Sequence, residues 1–265
     1  MGCVDRTALI GEAGVVRART VQRRWLCLWT IFLAIALGGC ASSSDSDTLV
    51  VFAASSLTDV LPPVAESFTL STGTEVELNF AGSSALREQI LDGSPAGVFV
   101  SANPGIMAEL ATLGLIRPSI QPVATNSIVL AVPADNPAQV TGLDSLTQDD
   151  LIIGLCAREV PCGQLSVDVL AVADIDPAVD TFEPSVRALV GKVELGEVDA
   201  ALVYDTDVIA SDDLTAIGEP FTDAGSTVYV AASLVGSGGD SDRFVDFLTG
   251  GLAQSALEDA GFGAP

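Results

Sequence analysis

Short apolar runs alternate with segments whose apolar residues recur every three or four positions, and this order constrains the fold more than any other feature. The run Leu49–Ala54 suits a buried parallel strand. Leu57, Val60, Leu61, Val64 and Phe68 then follow at helical spacing. Val76, Leu78 and Phe80 alternate as a strand does. Leu86, Ile90 and Leu91 mark a second helix, Val98, Phe99 and Val100 a third strand, and Ile106, Leu110 and Leu113 a third helix. Such an order predicts a parallel sheet with helices on its faces.

The pattern is interrupted over residues 121–126 and resumes as a strand over 127–132. A second block follows, with strands at 151–155 and 200–204 and helices at 163–172 and around Val186, Leu189, Val190 and Val193. A last strand is predicted at 227–232 and a helix over 242–260. Two α/β blocks joined by extended crossings predict two lobes around a cleft. Residues 49–125 with 227–265 form one lobe and 126–226 the other, each a mixed sheet flanked by helices. In such folds ligands bind at the carboxyl ends of strands.

Two of those strand ends carry serines. Ser56 follows Phe52-Ala53-Ala54-Ser55, and Ser83 follows Phe80-Ala81-Gly82. Each stretch reads as a strand, a turn and a helix start. A helix start offers free N–H donors and a partial positive charge, so two of them in one lobe suggest an oxyanion receptor. Taken singly, each serine reads equally as a simple N-cap.

The composition narrows the chemistry. The chain of 265 residues has a formal charge of -24, which argues against nucleic acid as a partner. Binding an anion against that field requires local dipoles. There is no histidine, which removes Ser-His-Asp and Cys-His sites and the H-E-x-x-H zinc motif. The carboxylate groups at Asp149-Asp150, Asp205/Asp207 and Asp212-Asp213 read as solvated turns without EF-hand spacing. Arg87 and Arg187 follow helix starts and are expected to pair with surface carboxylates.

Residues 1–40 read as an export signal. Arg17, Arg19, Arg23 and Arg24 precede an apolar run over 25–37, and Leu37-Gly38-Gly39-Cys40 follows. That ending resembles a bacterial lipobox, in which Cys40 would take a diacylglycerol group and anchor the mature chain to the outer side of the cytoplasmic membrane. The alternative is an ordinary cleaved signal. Residues 41–48, small and polar, read as a flexible tether. Only Cys156 and Cys162 remain in the body. Outside the cytosol their expected state is a local disulfide, the alternative being two buried thiols. A metal pair lacks further ligands.

Five motifs then carry a resemblance that covers residues 49–263. They are Val51-Phe52-Ala53-Ala54-Ser55-Ser56-Leu57, Phe80-Ala81-Gly82-Ser83-Ser84-Ala85-Leu86, Val160-Pro161-Cys162-Gly163, Ser185-Val186-Arg187, and Gly196-Glu197-Val198-Asp199-Ala200-Ala201-Leu202-Val203-Tyr204. In this order the chain resembles the extracytoplasmic molybdate-binding proteins of ABC importers, two-lobed type II solute-binding proteins. The resemblance implies a tetrahedral oxyanion held by hydroxyls and backbone N–H groups. Ser56 and Ser83 would give both, Cys162 and Val186 backbone N–H groups, and Tyr204 a phenol. Four helix N-termini, two per lobe, would converge on the anion. The family carries a small residue such as Ala where this chain has Cys162; the backbone donor survives that change.

The resemblance further implies molybdate or tungstate as ligand, no cofactor, no catalysis, ABC permease subunits as partners, a lipid anchor to the membrane, and a monomer. Rival readings are the same fold with sulfate, phosphate or a small organic anion, an exported hydrolase using Ser55 or Ser56, and a purely structural lipoprotein. The hydrolase lacks a histidine base, and the only lysine is Lys192.

Overall fold

The computed structural model describes residues 48–265. The signal segment, Cys40 and the tether up to residue 47 lie outside the described residues. Strand β1, Leu49–Ala54, runs parallel between β2, Val76–Ala81, and β3, Val98–Ser101. Its side chains alternate between two interiors, as a strand covered on both faces requires. Val51 and Ala53 join Leu61, Val64 and Phe68 of helix α1, Leu61–Thr72. Phe52 joins Leu86 and Ile90 of α2, Ser83–Leu91, and Met107 and Leu110 of α3, Pro104–Thr112. Helix α1 stops at Gly73, whose left-handed φ of 79° suits a residue without Cβ.

The second block repeats the pattern. Its elements are β5, Ile153–Cys156; α4, Pro161–Ala173; β6, Val179–Glu183; α5, Val186–Glu194; and β7, Ala200–Tyr204. A five-residue helix α6, Asp205–Ile209, follows at once. Its interior is a single cluster running from Ile128 to Leu214.

Two long strands connect the blocks. Strand β4 spans Gln121–Pro133 and β8 spans Leu214–Ser233. They pair with each other, antiparallel, and each also borders one block: β8 pairs with β3 and β4 with β7. The result is one eight-stranded mixed sheet ordered β2-β1-β3-β8-β4-β7-β5-β6. This differs from the expected pair of sheets, because the crossing strands continue the ladder through both blocks. The pairing skips residues 222–225 of β8 between Ser127↔Ser226 and Ile128↔Phe221.

Other expectations change as well. The interruption at residues 121–126 is the first half of β4, with Pro122 placed at a register shift where its missing N–H is tolerated. The strand expected at 227–232 is only the end of β8, whose earlier part contains Gly218 and Pro220 and reads as a turn. The helix expected over 242–260 is two, α7, Gly239–Leu248, and α8, Gly251–Asp259, separated at Thr249-Gly250. Leu91 and Leu113, which helped to mark their helices, lie at the helix ends and are exposed. Phe68 of α1 meets Phe244 and Phe247 of α7 edge-on at 5.1 and 5.5 Å, tying the last helices to the first. Among the described residues no helix is long and apolar enough to cross a membrane.

Candidate functional site: a cavity of donors

Five strand ends meet at one point. After β1 the chain enters a 3-10 turn, Ser55–Leu57, rather than the α-helix expected there; α1 begins only at Leu61. After β2, Gly82 leads directly into α2 at Ser83. After β5 a short loop, closed by a bond between Cys156 and Cys162, leads into α4. After β6, Ser185 caps α5, its Oγ accepting the N–H of Ala188 at 3.3 Å. Strand β7 ends on Tyr204.

Ser56, Ser83, Cys162, Val186 and Tyr204 all line a single cavity between these ends, together with Ser55, Gly82 and Ala102. Its volume is about 10 Å³, close to what one water molecule requires. A group larger than one water enters only if the walls move apart. Gly82 makes the closeness possible. A Cβ there would lie 2.6 Å from the carbonyl oxygen of Pro184, so the β2–α2 turn could not approach the β6–α5 loop.

Free N–H groups lie at three of these helix starts. The first bond closing α2 runs from Leu86 N–H to Gly82 C=O at 3.1 Å, leaving the N–H groups of Ser83, Ser84 and Ala85 outside the helix ladder. In α4 the first is Gln164 N–H to Val160 C=O at 3.0 Å. Pro161 has no N–H, so Cys162 and Gly163 provide the first free ones. In α5 it is Leu189 N–H to Ser185 C=O at 3.2 Å, freeing Val186 and Arg187.

The hydroxyls agree in polarity. The N–H of Ala102 donates to Ser83 Oγ at 3.1 Å, so the serine proton is available to another acceptor. Ser56 Oγ lies 2.7 Å from Tyr229 Oη. The Tyr204 hydroxyl is buried, with the residue 1% exposed, and makes no hydrogen bond among the described residues, although the Tyr229 hydroxyl lies near it. Burial, then the proximity of Tyr229 and Asp207, pushes its pKa well above the usual phenol range, so it is protonated and a donor. An unpaired buried polar group costs roughly 1–3 kcal/mol.

No cation faces this cavity among its lining residues. Arg87 pairs with Glu88 and, at 3.0 Å, with Glu109. Arg187 reaches Asp59 at 3.0 Å and Asp207 at 3.7 Å. Lys192 pairs with Glu183. Asp207 is not the solvated turn residue expected: it is 2% exposed, and its Oδ2 accepts the N–H of Tyr204 at 3.2 Å. Burial raises its carboxyl to about 7, against the opposing pull of Arg187.

Across the cavity mouth the blocks touch. Ser84 Oγ donates to the carbonyl of Glu159, and Asn103 Nδ2 to Gln164 Oε1 at 2.6 Å. Behind the cavity lies a polar cluster that the sequence reading missed: Asn126, Thr206 and Tyr229. Asn126 sat in what read as an interruption, and Tyr229 in an apolar strand, so neither carried a local signal.

Comparison with known proteins gives a consistent result. The family model described as bacterial extracellular solute-binding protein matches residues 49–263. The molybdate-binding protein ModA of Mycobacterium tuberculosis is 30% identical over 260 residues, covering 91% of this chain and all of the relative. Among solved structures, the periplasmic molybdate-binding protein of Azotobacter vinelandii superposes with a TM-score of 0.67 at 20% identity, over 82% of this chain and 99% of that one. The sulfate-binding protein SubI of Mycobacterium tuberculosis gives 0.71 at 17% identity, over 81% of this chain and 86% of that one.

Proposed function

The chain belongs to the bacterial extracellular solute-binding proteins, and on that premise we propose that it captures molybdate, and tungstate with it, outside the cytoplasmic membrane and delivers the ion to an ABC permease. Its fold is the type II periplasmic-binding-protein fold, with the ligand cleft between two lobes. In this reading residues 49–125 with 227–265 form one lobe and 126–226 the other. Cys40 carries the lipid anchor, and the protein works as a monomer. Ser56, Ser83, Cys162, Val186 and Tyr204 form the anion's shell.

One observation carries the reading: a protonated, fully buried Tyr204 hydroxyl without a hydrogen bond among the described residues, on the wall of a cavity shared with the Ser56 and Ser83 hydroxyls and with three helix starts. An acceptor-only tetrahedral ion satisfies all of them at once. Charge-assisted hydrogen bonds contribute about 1.5–3 kcal/mol each, so several together offset the ion's lost hydration. The donors are neutral, which lets a chain of net charge -24 hold a dianion through local dipoles.

The role is binding rather than catalysis. A hydrolase built on Ser56 would need a base. The group beside its Oγ is Tyr229, whose phenol burial pushes above the usual range. Thermal unfolding of the body with molybdate, tungstate, sulfate and phosphate tests the proposal. At ligand a thousandfold above its Kd, molybdate should add about 4 kcal/mol of stability. Stabilisation by sulfate alone would assign another oxyanion, and no shift with any of the four would leave a structural lipoprotein.

A further inference from the structure

We propose that Tyr229 and Asn126 are positioning residues that fix the direction of the Ser56 hydroxyl, so that its proton points into the cavity. The inference rests on the oxyanion reading of that cavity and adds two residues that lie behind its lining.

The argument is one of donor and acceptor counting. Asn126 Oδ1 accepts the N–H of Ser127 at 2.9 Å, which places its amide nitrogen on the opposite side. That nitrogen donates to Thr206 Oγ1 at 2.8 Å and, over a longer 3.5 Å, to Tyr229 Oη. An amide nitrogen has no lone pair to offer. The Tyr229 oxygen therefore receives from Asn126, and its own proton goes to Ser56 Oγ at 2.7 Å, because the nearby Tyr204 hydroxyl is not placed to hydrogen-bond with it. Ser56 then accepts from Tyr229 and is left to donate forward. In the opposite direction, Ser56 donating to Tyr229, the phenol proton would face an amide nitrogen and a Tyr204 hydroxyl out of hydrogen-bonding geometry, in a site where Tyr229 is fully buried.

The two residues sit on the crossing strands. Asn126 pairs in register with Thr227, and Tyr229 lies two residues further along β8. Thr206 belongs to α6, immediately after Tyr204. The relay thus runs from the strands that connect the blocks to the serine of the first block, and it includes a contact to the second.

A double-mutant cycle read by titration calorimetry with molybdate tests this, using the wild type, Ser56→Ala, Tyr229→Phe and the double variant. Acting through Ser56, Tyr229→Phe should weaken binding about tenfold when Ser56 is present. In the Ser56→Ala background it should change affinity by less than about twofold. Equal losses in both backgrounds, or no loss in either, would overturn the relay. If Tyr229→Phe does not fold, Asn126→Asp serves the same cycle. Its carboxylate accepts where the amide donated, which draws the phenol proton away from Ser56, so the loss should again require Ser56. Wild-type protein that binds no oxyanion would sink the reading of the cavity and the relay with it, whereas binding with additive losses sinks the relay alone.

Discussion

The two sides of the cavity are built from different chemistry. The first block presents side-chain hydroxyls, Ser56 and Ser83, on a 3-10 turn and a helix start. The second presents backbone, at Cys162 and Val186, and one phenol, Tyr204. A hydroxyl donor can be deleted by one substitution. An amide donor survives any substitution but proline and is otherwise moved, by changing what holds its loop. The first side is therefore sensitive to composition and the second to conformation.

The sharpest contrast lies in charge, since the second side alone has a carboxyl that is both fully buried and shifted, Asp207. Its folded value is raised from an ordinary 3.8 to about 7, so the folded state favours the protonated form. Its contribution to stability is whole below about pH 4 and is lost as pH rises through about 7. Denaturant titrations of ligand-free protein should show a decline on the order of 4 kcal/mol across that window. Asp207→Asn should flatten it, and an unchanged profile in the variant would assign the slope elsewhere.

Next in size is the conformational side. A Cβ at Gly163 would fall 1.9 Å from the carbonyl oxygen of Ala157, so Gly163→Ala must displace the loop that aims the Cys162 amide. We expect a stability loss of about 3 kcal/mol by chemical denaturation and weaker molybdate binding, although no side chain in contact with the ion is changed. Ser83→Ala tests the compositional side. Loss of one charge-assisted bond should cost about 2 kcal/mol of affinity by calorimetry with the fold intact, and unchanged affinity would remove Ser83 from the shell. The smallest effect belongs to Tyr204→Phe. Removing an unpaired buried hydroxyl should stabilise the ligand-free protein by about 1 kcal/mol while weakening molybdate binding. A loss of ligand-free stability would mean that the hydroxyl already has a partner.

Much of this was legible in the sequence because the informative signals are local. Strands β1 and β7 end where their apolar runs end, and the residues that follow them, or close them, face the cavity. The illegible parts depend on distant partners. Residues 214–226 join the sheet only because β4 lies beside them, against the local turn signals of Gly218 and Pro220. Ser56 and Tyr229 are 173 positions apart, and no local pattern announces their bond. Asp207 resembled a surface turn because nothing in its neighbours shows that Arg187 and the end of β7 enclose it.

The crossing strands also separate an interior of short sequence range from one of long range. The interior that runs from Ile128 to Leu214 draws on one uninterrupted stretch. The interior around Leu49 and Val51 needs Tyr229, Phe244 and Phe262, nearly the whole length of the chain away. The first strand is therefore completed only by the last helices, so the two ends of the described chain share one interior.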